Sequence, residues 1–144
     1  MNYKMIRYFF GIMLMLEAAF MLIPTATALI YSEDITPFII TTGILLFFGI
    51  PSVAFKPNNT RIYAKEGFIC VAAAWILLSL FGALPFVISG AIPNYIDAFF
   101  ETVSGFTTTG ATILSEIESL PRGILLWRSF THWFGGMGVL VFML

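Results

Sequence analysis

The chain has 144 residues, of which 59% are hydrophobic and only 10% are charged. Soluble domains carry about 25% charged residues, so this composition excludes an ordinary soluble fold and indicates an integral membrane protein in a lipid bilayer. A formal net charge of -1 gives no reason to expect nucleic-acid binding, and the single cysteine, Cys70, allows neither an internal disulfide nor a cysteine metal cluster.

Two apolar segments begin the chain and predict a helical hairpin. Residues 8–31 form the first, interrupted by Glu17 and Pro24, and residues 35–55 form the second. Each has the roughly 20 residues that cross a hydrocarbon core of ~30 Å. A cleaved signal peptide is the alternative for the first segment, but its apolar run exceeds the usual ~7–15 residues and contains a charge.

The rest of the chain predicts one helix–loop–helix unit. A polar, basic connection ends at residue 66, a third apolar span covers residues 67–89, and a fourth apolar helix begins at Gly123 and continues to the end of the sequence. We therefore predict two units. Residues 1–66 form a transmembrane hairpin with its cytoplasmic connection, and residues 67–144 form a helix, a loop and a second helix.

Residues 90–122, the loop of this unit, predict a short helix followed by a polar turn. Asn94 is a good N-cap, and Asp97 places a carboxylate near the positive end of the helix. Apolar residues recur at helical spacing as far as Phe106, after which three threonines and Gly110 disfavour a helix. About eleven residues at ~1.5 Å each reach roughly 17 Å, half of the hydrocarbon core, so this helix is predicted to re-enter the membrane rather than span it.

The turn after this short helix has the composition of a cation site. Its residues are Thr107, Thr108, Thr109 and Gly110. Their backbone carbonyls can replace the hydration shell of a cation if successive peptide groups turn their oxygens to one side. Glycine supplies dihedral angles that other residues resist, so Gly110 is the principal candidate. In a soluble protein the same residues would predict a surface turn, but their place between a half-length helix and a spanning helix favours the ion site.

Two long motifs resemble a known family. The sequences DAFFETVSGFTTTGAT at residues 97–112 and LLWRSFTHWFGGMG at residues 125–138 closely resemble the first pore repeat of the TrkH-type potassium uptake proteins, in the Trk/Ktr/HKT superfamily. The resemblance covers roughly residues 91–144. It implies an all-α integral membrane protein in which two leading transmembrane helices precede helix–re-entrant pore loop–helix repeats like those of potassium channels.

The resemblance also implies how such a protein works. Four consecutive repeats surround one potassium pathway, and each supplies a quarter of the selectivity filter. A glycine at the position of Gly110 goes with potassium permeation, and a serine there with a sodium preference. Potassium is the transported substrate and no cofactor is implied. The implied partners are a second copy of the full-length protein, forming a homodimer, and a cytosolic nucleotide-binding regulatory subunit. This chain holds one repeat, and we expect a truncation within its last helix because residues 139–144 stop inside an apolar run.

Charge placement predicts the orientation. Five basic residues fall on one side of the predicted membrane, and four acidic residues fall on the other. The basic residues are Lys4, Arg7, Lys56, Arg61 and Lys65, and the acidic residues are Glu33, Asp34, Glu116 and Glu118. By the positive-inside rule, the N-terminus is cytoplasmic and the loop enters the inner (cytoplasmic) membrane from outside. The carboxylates of Glu116 and Glu118 either raise the local cation concentration at the outer mouth or belong to a solvated loop.

Charged and small residues near the loop are candidates for supporting it. Asp97 and Glu101 share a face of the short helix, and carboxylates at this depth need partners. We predict an ion pair between Arg128 and one of them; the alternative is that Arg128 extends to the membrane interface. A smooth patch on the last helix is predicted to pack against the pore region, at Gly135, Gly136 and Gly138.

Two isolated polar residues remain. Glu17 is an intramembrane acid and therefore a candidate functional site, but the resemblance places its helix outside the pore repeats and favours a structural hydrogen-bonding role. His132 is the single histidine, so a bis-histidine haem within one chain is excluded and a metal site would lack ligands.

The predicted function is potassium transport through a channel-like pore, with this chain supplying about a quarter of the filter. A non-conducting membrane scaffold or a degenerate fragment is the alternative. An intramembrane enzyme is not predicted, because the sequence offers no nucleophile–base constellation and no cluster of metal ligands.

Overall fold

The computed structural model describes residues 3–57 and 63–143, with side chains described up to Gly138. Arg61, one of the basic residues used to predict the orientation, lies outside this part of the chain. The described residues form α-helices and no strand. In chain order the helices are α1 (Tyr3–Ile30), α2 (Thr36–Ala54), α3 (Ala64–Gly82), α4 (Leu84–Ile88), α5 (Tyr95–Phe106) and α6 (Arg122–Met143).

Three helical stretches within the described residues are long and apolar enough to cross a membrane. They are Tyr3–Ile30, Thr36–Ala54 and Ala64–Ile88. They correspond to the first three predicted spans, so the predicted all-α membrane architecture is confirmed. The predicted fourth helix is present as the 22 residues of α6 but is not among these three, because Arg128, Thr131 and His132 make its first half less apolar.

The first two helices pack closely as a hairpin. A Cβ on Gly11 of α1 would lie 2.7 Å from the Cβ of Ser52 in α2, so glycine is what allows the two backbones to come together. Both helices contain a proline, Pro24 and Pro51. Beside Pro24, the Thr25 hydroxyl donates to the carbonyl of Met21 over 2.7 Å, the kind of side-chain bond that lets membrane helices retain proline.

The third span, predicted over residues 67–89, is interrupted at a single residue between two helices. Helix α3 ends at Gly82 and α4 begins at Leu84. Pro85 is the physical reason, because proline has no N–H for the carbonyl four residues earlier and its ring crowds that carbonyl. Next to the break, the carbonyl of Gly82 accepts a hydrogen bond of 2.9 Å from the indole N–H of Trp127 in α6.

The core lies where the hairpin meets α4 and α6. Its largest fully buried side chains are Met21, Phe38, Leu45, Phe86 and Trp127. Other large apolar side chains, such as those of Leu22, Phe47 and Phe68, are exposed. Exposed apolar side chains around a buried core are what a lipid-facing surface requires. This packing leaves the short helix α5 enclosed between α3 and α6.

Candidate functional site

Helix α5 has bounds close to those that the sequence predicts. The side chain of Asn94 accepts a hydrogen bond of 3.0 Å from the N–H of Ile96 and caps the helix. The helix ends after 12 residues, at Phe106, because Thr108 and Gly110 beyond it have positive φ angles of 55° and 79°. At 1.5 Å per residue α5 is about 18 Å long, little more than half of a spanning helix.

The C-terminal end of α5 lies beside the middle of its neighbours. The Phe106 ring centroid is 5.8 Å from that of Trp75, in the interior of α3. The carbonyl of Phe106 lies against Gly135, well inside α6, where a Cβ would overlap the carbonyl oxygen. Only glycine permits this approach, and α5 therefore ends within the layer of helices rather than at its edge.

The four residues after α5, Thr107 to Gly110, are called the threonine segment below. Their N–H groups all donate to carbonyls in the last turns of α5, over 2.9 Å for the three threonines and 3.5 Å for Gly110. The acceptors are the carbonyls of Val103, Ser104 and Gly105. Within the described residues, the four carbonyl oxygens of the segment accept no backbone hydrogen bond. In the described part of the chain, the N–H groups of the segment are therefore all hydrogen-bonded, whereas its carbonyl groups accept no backbone hydrogen bond.

Alternating backbone conformations produce this division. Thr107 is right-handed, with φ of -83°, whereas Thr108 and Gly110 are left-handed. Such an alternation gathers successive N–H groups on one side of the chain and leaves the carbonyls on the other. The segment is exposed, and no atom lies within 4 Å of a Cβ built on Gly110. The carbonyls therefore border open space in this chain.

A buried carboxylate anchors the chain beyond the segment. Glu101 of α5 is 2% exposed and accepts hydrogen bonds from the Thr112 hydroxyl, at 3.0 and 2.9 Å, and from the Ile113 N–H, at 3.2 Å. The Nε of Arg128 in α6 lies 2.7 Å from Glu101 Oε1. One carboxylate thus ties the short helix, the returning chain and α6 together, and a network around a buried charge is stabilising only when it is satisfied in this way.

Not all the predicted support residues join this network. Asp97, one turn earlier on α5, is half-buried and makes no ion pair or hydrogen bond with the described residues. Ser104 does contribute, because its hydroxyl donates to the carbonyl of Ala111 over 2.6 Å. Sequence reasoning did not assign Thr112 or this Ser104 bond, and no spacing in the sequence marks either contact.

The three glycines of α6 that were predicted to pack against the pore region meet different neighbours. Gly135 faces the end of α5, and Gly136 lies nearest Thr108, whose Cγ2 would be 3.9 Å from an added Cβ. Gly138 faces Trp75 of α3, where a Cβ would come within 2.7 Å of the ring. A fourth close approach was not predicted: a Cβ on Gly105 would overlap the Thr131 hydroxyl of α6.

The start of α6 is held by the loop between α1 and α2. Glu33 accepts hydrogen bonds from the N–H groups of Arg122, at 2.8 Å, and Gly123, at 2.9 Å. The guanidinium of Arg122 lies 4.4 Å from the centroid of the Tyr31 ring. Glu116 and Glu118, in the chain before α6, are exposed.

The two isolated polar residues have no ligand-binding arrangement. Glu17 is 4% exposed, and its oxygens have no hydrogen-bond partner among the described residues, so the predicted structural hydrogen-bonding role is wrong there. The carboxyl group is packed against α3 at Gly82, whose small size makes room for it. The Nδ1 of His132 pairs with the Arg128 carbonyl at 3.0 Å, and the described residues hold no cluster of three or more potential metal ligands.

Three apolar helical stretches, together with a half-length helix that ends among them, define a multi-pass α-helical membrane protein. Residues 35–144 match the family model of TrkH, described as a cation transport protein, and the chain belongs to that family. It is 39% identical to the Trk system potassium uptake protein TrkH of Vibrio parahaemolyticus and 40% identical to that of Escherichia coli K12. Each comparison covers 98% of this chain and 30% of the relative.

A solved structure has the same fold. The crystal structure of the potassium transporter TrkH from Vibrio parahaemolyticus superimposes with a TM-score of 0.90 and 38% identity, over 98% of this chain and 31% of that one. The family resemblance drawn from the two motifs is therefore confirmed. The chain spans about a third of the length of the relatives it matches.

Proposed function

We propose that this chain forms one side of a channel-like potassium pore and supplies about one quarter of its selectivity filter. The observation that carries the proposal is the division of polar groups in the threonine segment, whose N–H groups bond to α5 and whose carbonyls accept no backbone hydrogen bond from the described part of the chain. Non-helical backbone at membrane depth is tolerated only against protein or a water-filled path. Carbonyl rings replace the hydration shell of potassium in channel filters. The substrate named for the relatives agrees with this ion.

The remaining sides of the pore are assigned to further repeats of the complete protein. One threonine segment can contact an ion from one side alone, and the chain spans 30% of its relatives. The C-terminal end of α5, where the helix dipole is negative, lies beside the segment and would stabilise a cation there. Glu101 and Arg128 are proposed to hold the segment in place, and Gly135 to let α6 approach the end of α5, whereas Gly136 meets Thr108 at an ordinary contact distance. Asp97 remains a candidate for support, and Gly138 for helix packing against α3.

We place the protein in the cytoplasmic membrane with its N-terminus in the cytoplasm. The hydrogen bonds that the first N–H groups of α6 donate to Glu33 support this orientation, because the acidic loop between α1 and α2 then lies at the same end of the molecule as residues 116–122. Lys4, Lys56 and Lys65 lie at the opposite helix ends. The side rich in basic residues is the cytoplasmic one by the positive-inside rule.

For the complete protein the proposal includes two partners. A second copy would form a homodimer, and a cytosolic nucleotide-binding regulatory subunit would control the pore. Both follow from the family resemblance of the two motifs. Co-purification of the complete protein, followed by mass measurement of the intact complex, tests both partners at once.

The decisive experiment compares two glycines with nearly the same backbone conformation. Gly110 has a φ of 79° and Gly90 has a φ of 77°, and neither has an atom within 4 Å of an added Cβ. Alanine at either position should therefore cost the same backbone strain, about 1–2 kcal/mol. In the complete protein, Gly110→Ala should lower rubidium uptake at least tenfold, because its Cβ enters the ion path, and Gly90→Ala should retain most of it. Normal uptake by Gly110→Ala would favour the alternative in which the threonine segment only packs and does not line the ion path.

A further inference from the structure

The leading hairpin, formed by α1, α2 and the loop between them, holds the first turn of α6 through three separate contacts. Glu33 accepts the N–H groups of Arg122 and Gly123 with its two carboxylate oxygens, one bond to each. These donors have no partner within their own helix, and a carboxylate at this end also meets the positive helix dipole. A residue about 90 positions away in the chain thus performs the capping that a local side chain usually performs.

The other two contacts limit lateral movement of the same turn against the hairpin. A Cβ on Gly123 would lie 3.0 Å from the Phe38 ring and 3.1 Å from Ala28, so the turn is seated directly on the hairpin. The Arg122 guanidinium lies over the Tyr31 ring. Glu33 is itself held in place, because its N–H donates to the Ala28 carbonyl over 2.8 Å and Ser32 before it has a left-handed φ of 55°.

These contacts at the start of α6 determine where the site residues further along the helix lie. Arg128 lies five residues beyond Gly123, about 7.5 Å along the helix axis. Its Nε meets Glu101, which in turn holds Thr112 and Ile113 just beyond the threonine segment. An axial movement of α6 by a fraction of a turn would break the bond of 2.7 Å between Arg128 and Glu101. The path from Glu33 to the segment consists of about one and a half turns of α6, the ion pair between Arg128 and Glu101, and the hydrogen bonds that Thr112 and Ile113 donate to Glu101.

We propose that Glu33 is a positioning residue for ion selectivity: by capping α6 from the leading hairpin, it sets the axial position of Arg128 and so the geometry of the threonine segment. The proposal rests on the proposed function of that segment. It gives the leading hairpin, which lies outside the pore repeat, a part in transport. The competing anchor is Trp127, which bonds to Gly82 and would hold α6 without the hairpin.

The test measures rubidium and sodium uptake by the complete protein in proteoliposomes, together with hydrogen exchange at residues 122 and 123. Glu33→Ala should lower exchange protection there by about threefold to thirtyfold, the usual effect of losing a cap. It should also lower the ratio of rubidium to sodium uptake. Glu33→Gln keeps an acceptor but loses the charge, so it should fall between Glu33→Ala and wild type. Glu116→Ala, which removes an exposed carboxylate from the same end of the molecule, should leave the exchange protection and the uptake ratio unchanged, because any effect of this carboxylate on local cation concentration acts on both ions alike.

The uptake ratio separates positioning from mere stabilisation. If Glu33 only helps the protein fold, uptake of both ions falls together and the ratio stays at the wild-type value, which would overturn the inference. Reduced exchange protection with an unchanged ratio of rubidium to sodium uptake would also overturn the inference. Trp127 would then be the residue that holds α6 in its axial position. Failure of the proposed function itself looks different, because wild-type protein would then take up no rubidium.

Discussion

Replacing Glu101 by glutamine should destabilise the protein by about 3 kcal/mol. Breaking a buried ion pair by removing one partner costs about 3–5 kcal/mol, because the other charge stays buried without compensation. Glu101 is almost fully buried, but the Arg128 side chain is 16% exposed and can turn toward water. The free-energy cost should therefore lie at the lower end of this range. Glutamine still offers an acceptor to the Thr112 hydroxyl or the Ile113 N–H, so those contacts contribute little to the loss.

The assay is reversible unfolding in mixed micelles, followed by tryptophan fluorescence, to which Trp127 contributes from a fully buried position next to Arg128. Asp97→Asn is the matched control, because it removes a carboxylate one turn earlier on the same helix where no partner is found among the described residues. Its effect should stay within about 0.5 kcal/mol. A double-mutant cycle with Arg128→Gln should give a coupling free energy of at least 1 kcal/mol, as contacting charges in one network do.

Equal stability of Glu101→Gln, Asp97→Asn and the wild type would refute this account of the network. Exchanging the acidic residue at position 101 and the basic residue at position 128 would test the ion pair less well than the double-mutant cycle. The Thr112 hydroxyl and the Ile113 N–H both donate toward position 101. A cation placed there would face two donors, so the exchanged variant should be less stable than wild type even if the original ion pair is strongly stabilising.

Three further predictions concern the glycines of α6, the exposed carboxylates before it and the pKa of Asp34. Gly135→Ala should lower stability by about 1–3 kcal/mol through overlap with the Phe106 carbonyl, whereas Gly136→Ala, with its nearest atom at 3.9 Å, should leave the melting temperature unchanged. Glu116→Gln and Glu118→Gln together should weaken rubidium affinity at low ionic strength, measured from initial uptake rates, and an unchanged affinity would show that these carboxylates only solvate the loop. The Thr36 hydroxyl and N–H hold the pKa of Asp34 below its usual range, so the stabilisation by Asp34 is complete above the unfolded-state pKa and is lost as pH falls through the lower folded-state pKa. A carboxyl NMR titration of Asp34 that gives an ordinary aspartate value would contradict this.

Local patterns in the sequence were sufficient for the membrane class, the first three spans and the bounds of α5. These features depend on properties that neighbouring residues share, namely apolar runs of spanning length, the Asn94 cap and the helix-breaking threonines with Gly110. The two motifs also identified the family. The break at Pro85 was missed because the apolar run continues across it, although proline at that place is itself a local signal of a bend.

Only the tertiary structure decided which groups meet. Sequence spacing left Asp97 and Glu101 as equal partners for Arg128, and packing selected Glu101, because that carboxylate also faces the N–H of Ile113 and the hydroxyl of Thr112. The cap that Glu33 places on α6 joins residues 89 and 90 positions apart, and no periodicity connects them. The carbonyls of the threonine segment that accept no backbone hydrogen bond among the described residues likewise follow from where their N–H groups find acceptors, at a helix end packed against α3 and α6. Periodicity determines which face of a helix is apolar, but hydrogen bonds between distant elements depend on how those faces are packed together.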